Sequence, residues 1–128
     1  MQSFMHAYPD FPKGKVVKTE SPDFLLHLNR KKTIGIELTR LHTASSLTEA
    51  IDVTLLNKDE KYRIYSKRKL SACWLIIHFD SILLPYKFNL NNLLSKYVIQ
   101  SSYDRVFLFD TVKSDIFEFI NKNQDISI

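Results

Sequence analysis

Two short runs, Phe24 to Leu28 and Thr33 to Thr39, flank the polar turn Asn29-Arg30-Lys31-Lys32. Both alternate in a way that suits strands, whose successive side chains point to opposite faces. Phe24, Leu26 and Leu28 share one face, as do Ile34, Ile36 and Leu38. Those faces are expected to meet one core. The opposite faces then carry Asp23, Leu25 and His27 on the first strand and Gly35, Glu37 and Thr39 on the second. Asp23 opposite Glu37, with a three-residue loop, satisfies this pattern. A one-residue slip separates the acids but exposes half of the apolar set. The register that buries the core is therefore also the one that puts Asp23 and Glu37 on one face.

The rest of the chain frames this hairpin. Pro9, Pro12 and Gly14 argue against a long helix in residues 1–20, which read as an irregular arm. Residues Ser46 to Lys69 read as a helix, capped by Ser45 or Ser46, with Glu49 in its first turn. Its apolar stripe is Leu47, Ile51 and Leu55, continued by Lys58, by Lys61 or Tyr62, and by Tyr65. A Lys on such a stripe either snorkels to solvent or points to a nearby acid. The run "CWLIIHF" is apolar on both faces and suits a central strand. Leu90 to Ile99 reads as a short helix with Asn89 as its cap, and "DRVFLFD" as the next strand. "DIFEFINK" fits strand or helix equally. This order predicts a single α/β domain with a mixed sheet.

Composition narrows the function classes. The 128 residues are 45% hydrophobic and 25% charged, which suits one globular domain rather than a disordered chain. One cysteine, Cys73, cannot form an internal disulfide and lies in an apolar run. No apolar run approaches the roughly 20 residues of a membrane-spanning helix. "MQSFMHAYPDFPKGK" lacks the basic start and apolar core of an export signal. The expected location is therefore intracellular, in the cytoplasm. Two glycines in the whole chain exclude a glycine-rich phosphate loop. The net charge of +4 is uneven, with 13 Lys/Arg against 8 Asp/Glu in residues 1–69 and 5 against 6 thereafter. A basic first half fits a polyanionic partner; a solvated positive surface explains the same excess.

Two carboxylates on adjacent strands with matched faces can hold a hard divalent cation such as Mg²⁺, with Mn²⁺ as a substitute. A cation there polarises a phosphate and lowers the pKa of a bound water. A Lys nearby orients that water or stabilises charge developing on the phosphate. Gly35, on the same face, leaves room for a backbone or phosphate to approach. Each residue also has an ordinary reading. Asp23 suits a turn edge, Glu37 the polar half of a half-buried strand, and Thr39 is a common β-former. His6, His27, His42 and His78 lack metal-ligand spacing.

Pro22-Asp23, followed by thirteen residues and then Glu37-Leu38-Thr39, resembles the signature of the PD-(D/E)XK nuclease superfamily. The resemblance covers roughly residues 20–110. It implies a restriction-endonuclease-like three-layer domain, with a central mixed β-sheet flanked by helices, and metal-dependent cleavage of DNA. It implies Asp23, Glu37 and the backbone carbonyl of Leu38 as metal ligands. The signature's Lys position holds Thr39 here. Relatives of this superfamily can supply that Lys from another element, and Lys58 and Lys61 fall on the inward stripe of the following helix. Glu20 is a weaker third acid. The basic cluster Arg63, Lys67, Arg68 and Lys69 is placed to contact nucleic-acid phosphates.

Two other readings remain open. The same fold without the motif Lys can serve nucleic-acid binding, to DNA or RNA, or protein interaction without catalysis. The aromatic C-terminal segment can also complete a partner's sheet in a homodimer.

Overall fold

In the computed structural model the elements run α1 (Gln2–Ala7), β1 (Lys15–Lys18), β2 (Phe24–His27), β3 (Thr33–Arg40), α2 (Leu47–Tyr65), β4 (Ala72–Phe79), β5 (Val98–Ile99), β6 (Arg105–Asp110), β7 (Asp115–Glu118) and β8 (Ile120–Asn121). The structure describes residues 1–20, 22–44, 46–65, 70–82 and 97–122, and only the backbone of residues 61 and 63–65. Among these, no helix is long and apolar enough to cross a membrane.

Six strands form one mixed sheet in the order β1-β2-β3-β4-β6-β7. The β3–β4 and β4–β6 pairs are parallel and the others antiparallel. A parallel pair needs a long crossover, and α2 supplies the one between β3 and β4. The hairpin register pairs Phe24 with Ile36, Leu25 with Gly35 and Leu26 with Ile34. Continued by one residue, it sets Asp23 opposite Glu37. The Leu28 N–H donates to the Lys32 carbonyl (3.0 Å), leaving the three-residue loop Asn29-Arg30-Lys31. The Asn29 side chain accepts from the N–H groups of Lys31 and Lys32 and closes the turn.

The sheet is covered on both faces. On one, Phe24, Leu26, Leu28, Ile34, Ile36 and Leu38 meet Trp74, Ile76, Phe107 and Phe109 under Phe4 of α1. On the other, Leu47, Ala50, Ile51 and Leu55 of α2 pack on Cys73, Leu75, Ile77, Val106 and Leu108. The two apolar faces of "CWLIIHF" thus serve two cores, as a central strand requires. Ser46 caps α2, accepting from the Glu49 N–H at 3.2 Å.

Two expectations change and one open reading is decided. The arm is not wholly irregular: its first residues form α1, and β1 extends the sheet beside β2. The helix expected over Leu90 to Ile99 falls mostly outside the described residues, and its end is strand β5, paired in parallel with β8. "DIFEFINK" resolves into β7 and β8, because Phe117 and Phe119 have a sheet and the α2 core to pack on.

Arg105 ties the arm to the sheet. Its guanidinium lies 4.9 Å from the centre of the Trp74 ring, donates to the Tyr8 hydroxyl and pairs with Glu118. Phe4, 1% exposed, packs edge-on against Phe107 and Phe109. Phe4→Ala is expected to destabilise the domain by about 3–5 kcal/mol, the usual range for a buried Phe. Urea unfolding would measure it, and a loss below about 1 kcal/mol would show that the arm is not part of the core.

Candidate functional site

β3 alternates, so Glu37 shares a face with Gly35 and Thr39. That face lies under α2 and not in solvent. Glu37 is 4% exposed, which overturns its ordinary reading as the polar half of a half-buried strand. A carboxylate so placed needs a partner, because burying a charge costs several kcal/mol. Lys58, on the inward stripe of α2, provides one: its Nζ lies 3.6 Å from Glu37 Oε2, and its side chain is 14% exposed. Of the two lysines named from the sequence, Lys58 therefore reaches the acid. The side chains of Lys61 and Arg63 lie outside the described residues, as do Lys67, Arg68 and Lys69.

Asp23 stands where the β2–β3 ladder ends. The bonded pairs fall at every second residue, so Leu38 would next pair with Pro22. Proline has no N–H to give, and the Pro22 carbonyl accepts from the Thr19 hydroxyl. The Asp23 carboxylate fills the gap, with Oδ2 accepting from the Leu38 N–H at 2.8 Å. Its own carbonyl accepts from the Thr19 N–H on β1's side. A carboxylate has about four lone-pair sites, so this one bond leaves acceptor capacity. Strand geometry sends the Leu38 carbonyl toward the same side as its N–H. The Asp23 carboxylate, the Leu38 main chain and the Glu37–Lys58 pair therefore gather at one stretch of β3.

The donor chemistry suits a hard cation. Two carboxylates and a carbonyl are all-oxygen ligands, the set that Mg²⁺ takes together with waters. Among the described residues, no group of three or more His, Cys, Asp or Glu side chains is placed to hold a metal. Any site here therefore relies on the carbonyl and on solvent or substrate oxygens.

One neighbour differs from expectation. Gly35 does not open the face to a phosphate. A Cβ there would meet Leu70 Cδ1 at 2.8 Å and Pro22 Cγ at 2.9 Å, so these side chains already fill the space. His27 lies at the loop end of the hairpin beside the Thr33 hydroxyl. Glu20 is exposed.

One group was not legible in the sequence. Asp104 accepts from the Cys73 N–H at 2.6 Å, and its own N–H donates to the Cys73 carbonyl at 2.8 Å. Burial, then Asp104, then Glu37 push the Cys73 thiol up to about 12. Burial, then Asp104 and Cys73, also raise the Tyr62 hydroxyl. Only the β4–β6 register brings Asp104 to Cys73, thirty-one residues apart.

Gly35→Ala is expected to cost about 1–3 kcal/mol through overpacking against Pro22 and Leu70, read as a lowered urea midpoint. Cys73 gives a pH dependence. Its folded pKa lies above the ordinary 9.0, so its contribution is fully present below pH 9. Stability should then fall as pH rises from 9 toward about 12, because the unfolded thiol ionises first. Urea midpoints across this window should fall less steeply for Cys73→Ala; identical slopes would remove Cys73 as a source. Set against family models, curated proteins and solved structures, the chain matches none.

Proposed function

We propose that this protein is a metal-dependent nuclease that hydrolyses DNA phosphodiester bonds, with a restriction-endonuclease-like arrangement of its sheet and helices. The observation that carries the reading is the Lys58 amine, 3.6 Å from the Glu37 carboxylate. The signature places a lysine at Thr39, two residues after Glu37 on the same face of β3. Here an amine reaches that acid from α2 instead. The order of an antiparallel β2–β3 hairpin, a helix and two parallel strands agrees with the resemblance.

Asp23, Glu37 and the Leu38 carbonyl would hold Mg²⁺, or Mn²⁺ in its place. When bound, that ion supplies charge that polarises a phosphate oxygen and acidifies a water. The chain's own residues do the rest. Glu37 holds the Lys58 amine on the site's side of α2. The amine donates hydrogen bonds to an attacking water or to a phosphate oxygen gaining negative charge. The Leu38 N–H fixes the orientation of the Asp23 carboxylate. The basic residues Arg63, Lys67, Arg68 and Lys69 remain the proposed contacts to the nucleic-acid backbone.

The test is nicking of supercoiled plasmid in Mg²⁺, with single-stranded DNA and RNA as parallel substrates. Asp23→Ala, Glu37→Ala and Lys58→Met should each lower the rate about 100-fold or more, the scale for losing one charge-stabilising group. Circular dichroism and urea unfolding of each variant separate loss of the site from loss of the fold, since Glu37→Ala and Lys58→Met each break a buried ion pair. A wild-type protein that binds nucleic acid yet cleaves none of the three substrates would replace this reading with that of an inactive nuclease-fold domain. Thr39 in the signature's Lys position is the observation favouring that second reading.

A further inference from the structure

The Lys58 amine points at Glu37 only if α2 is held at one rotation and one height above the sheet. α2 crosses two strands, and a helix on a smooth apolar core can slide or turn at small cost. One set of polar contacts fixes it at the residues that matter.

Asp59 follows Lys58 on α2. Its Oδ1 accepts from the Ser101 hydroxyl at 2.8 Å and from the Ser102 N–H at 3.2 Å. The Tyr103 hydroxyl donates to the Lys58 carbonyl at 3.3 Å. Three consecutive residues of one loop thus grip two consecutive residues of the helix. The loop itself is braced from β8. Asn121, 6% exposed, donates through Nδ2 to the carbonyls of Ser101 (3.2 Å) and Tyr103 (2.7 Å). Its Oδ1 accepts from the Ser101 N–H at 3.1 Å. Buried amide bonds of this kind resist displacement, since breaking one leaves a polar group without water. The path runs without a gap from Asn121 through the 101–103 loop and Asp59 to Lys58 and Glu37.

We propose that Asp59 is a positioning residue for Lys58, held by the Asn121-braced loop, and that this clamp sets the geometry of the Lys58–Glu37 pair. The proposal rests on the nuclease reading for its effect on catalysis. Asp59 acts here as a hydrogen-bond acceptor, because both donors reach the same oxygen. Its charge is not what the clamp uses.

That distinction makes the test. Single-turnover plasmid nicking in Mg²⁺ would be measured for Asp59→Ala, Asp59→Asn and Ser101→Ala in the full chain. Asp59→Ala should lower the maximal rate roughly 10- to 100-fold, the scale of a misplacement of about 1 Å, with the half-saturating DNA concentration unchanged. Asp59→Asn keeps a carbonyl oxygen for both donors and should restore the rate. Ser101→Ala loses one of the two bonds to Asp59, and with it the acceptor of the Tyr103 N–H at 3.2 Å, and should lower the rate below that of Asp59→Asn. In a Lys58→Met background, Asp59→Ala should have no further effect. An Asp59→Asn protein as slow as Asp59→Ala, or Asp59→Ala at the wild-type rate, would overturn the clamp.

A second readout needs no activity. The Lys58 Cε and Nζ resonances should shift in Asp59→Ala and Ser101→Ala and hold in Asp59→Asn. If the wild type fails to cleave, the nuclease reading falls while these resonances still judge the clamp. Resonances unmoved in Asp59→Ala overturn it whatever the activity. Should Asp59→Ala not fold, Ser101→Ala carries the same comparison.

Discussion

A carboxylate under a helix, in the middle of a sheet covered on both faces, has to be compensated. Glu37 is that carboxylate, and much of this structure can be derived from its position. Strand alternation fixes its face, because Ile34, Ile36 and Leu38 must meet the core on the other side. The crossover between two parallel strands puts α2 over it. An unpaired charge there would cost several kcal/mol, so the helix has to bring a cation. Lys58 arrives after Leu47, Ile51 and Leu55 have already been committed to the α2 core. The ion pair is thus a consequence of the fold, and it also leaves an amine beside Glu37.

Asp23 reaches the same region by a different cause. Pro22 cannot continue the ladder, and its carbonyl is taken by Thr19. The Asp23 side chain takes the Leu38 N–H that would otherwise lack a partner. A Pro-Asp at a strand start therefore has a backbone reason apart from chemistry. The same bond holds the carboxylate beside the Leu38 main chain, where a hard cation could use it. One arrangement answers a structural need and supplies the geometry of the proposed site.

The hairpin was legible because its information is local. Period two, a polar turn and a run of six apolar side chains left one register that buried them all. Lys58 was half legible, since the helical stripe named it together with Lys61. Gly35 misled, because an absent Cβ signals close approach without saying what approaches. Here Pro22 and Leu70 do. The α1 helix was hidden by the prolines that follow it. Its stability comes from Phe4 buried among Phe107, Phe109 and Tyr8 rather than from helix propensity.

By itself the sequence determined the hairpin, the shared face of Asp23 and Glu37, the central strand and the stripe of α2. Each follows from periodicity within a few turns or strand repeats. Only the tertiary structure decided that Glu37 is buried while Asp23 is half-buried, that Lys58 reaches Glu37, and that Asp104, Asp59 and Asn121 stand where they do. Those contacts join residues up to 43 positions apart, as between Ser102 and Asp59. No local pattern encodes such a meeting, because it depends on how far a helix slides and turns before its polar groups find partners.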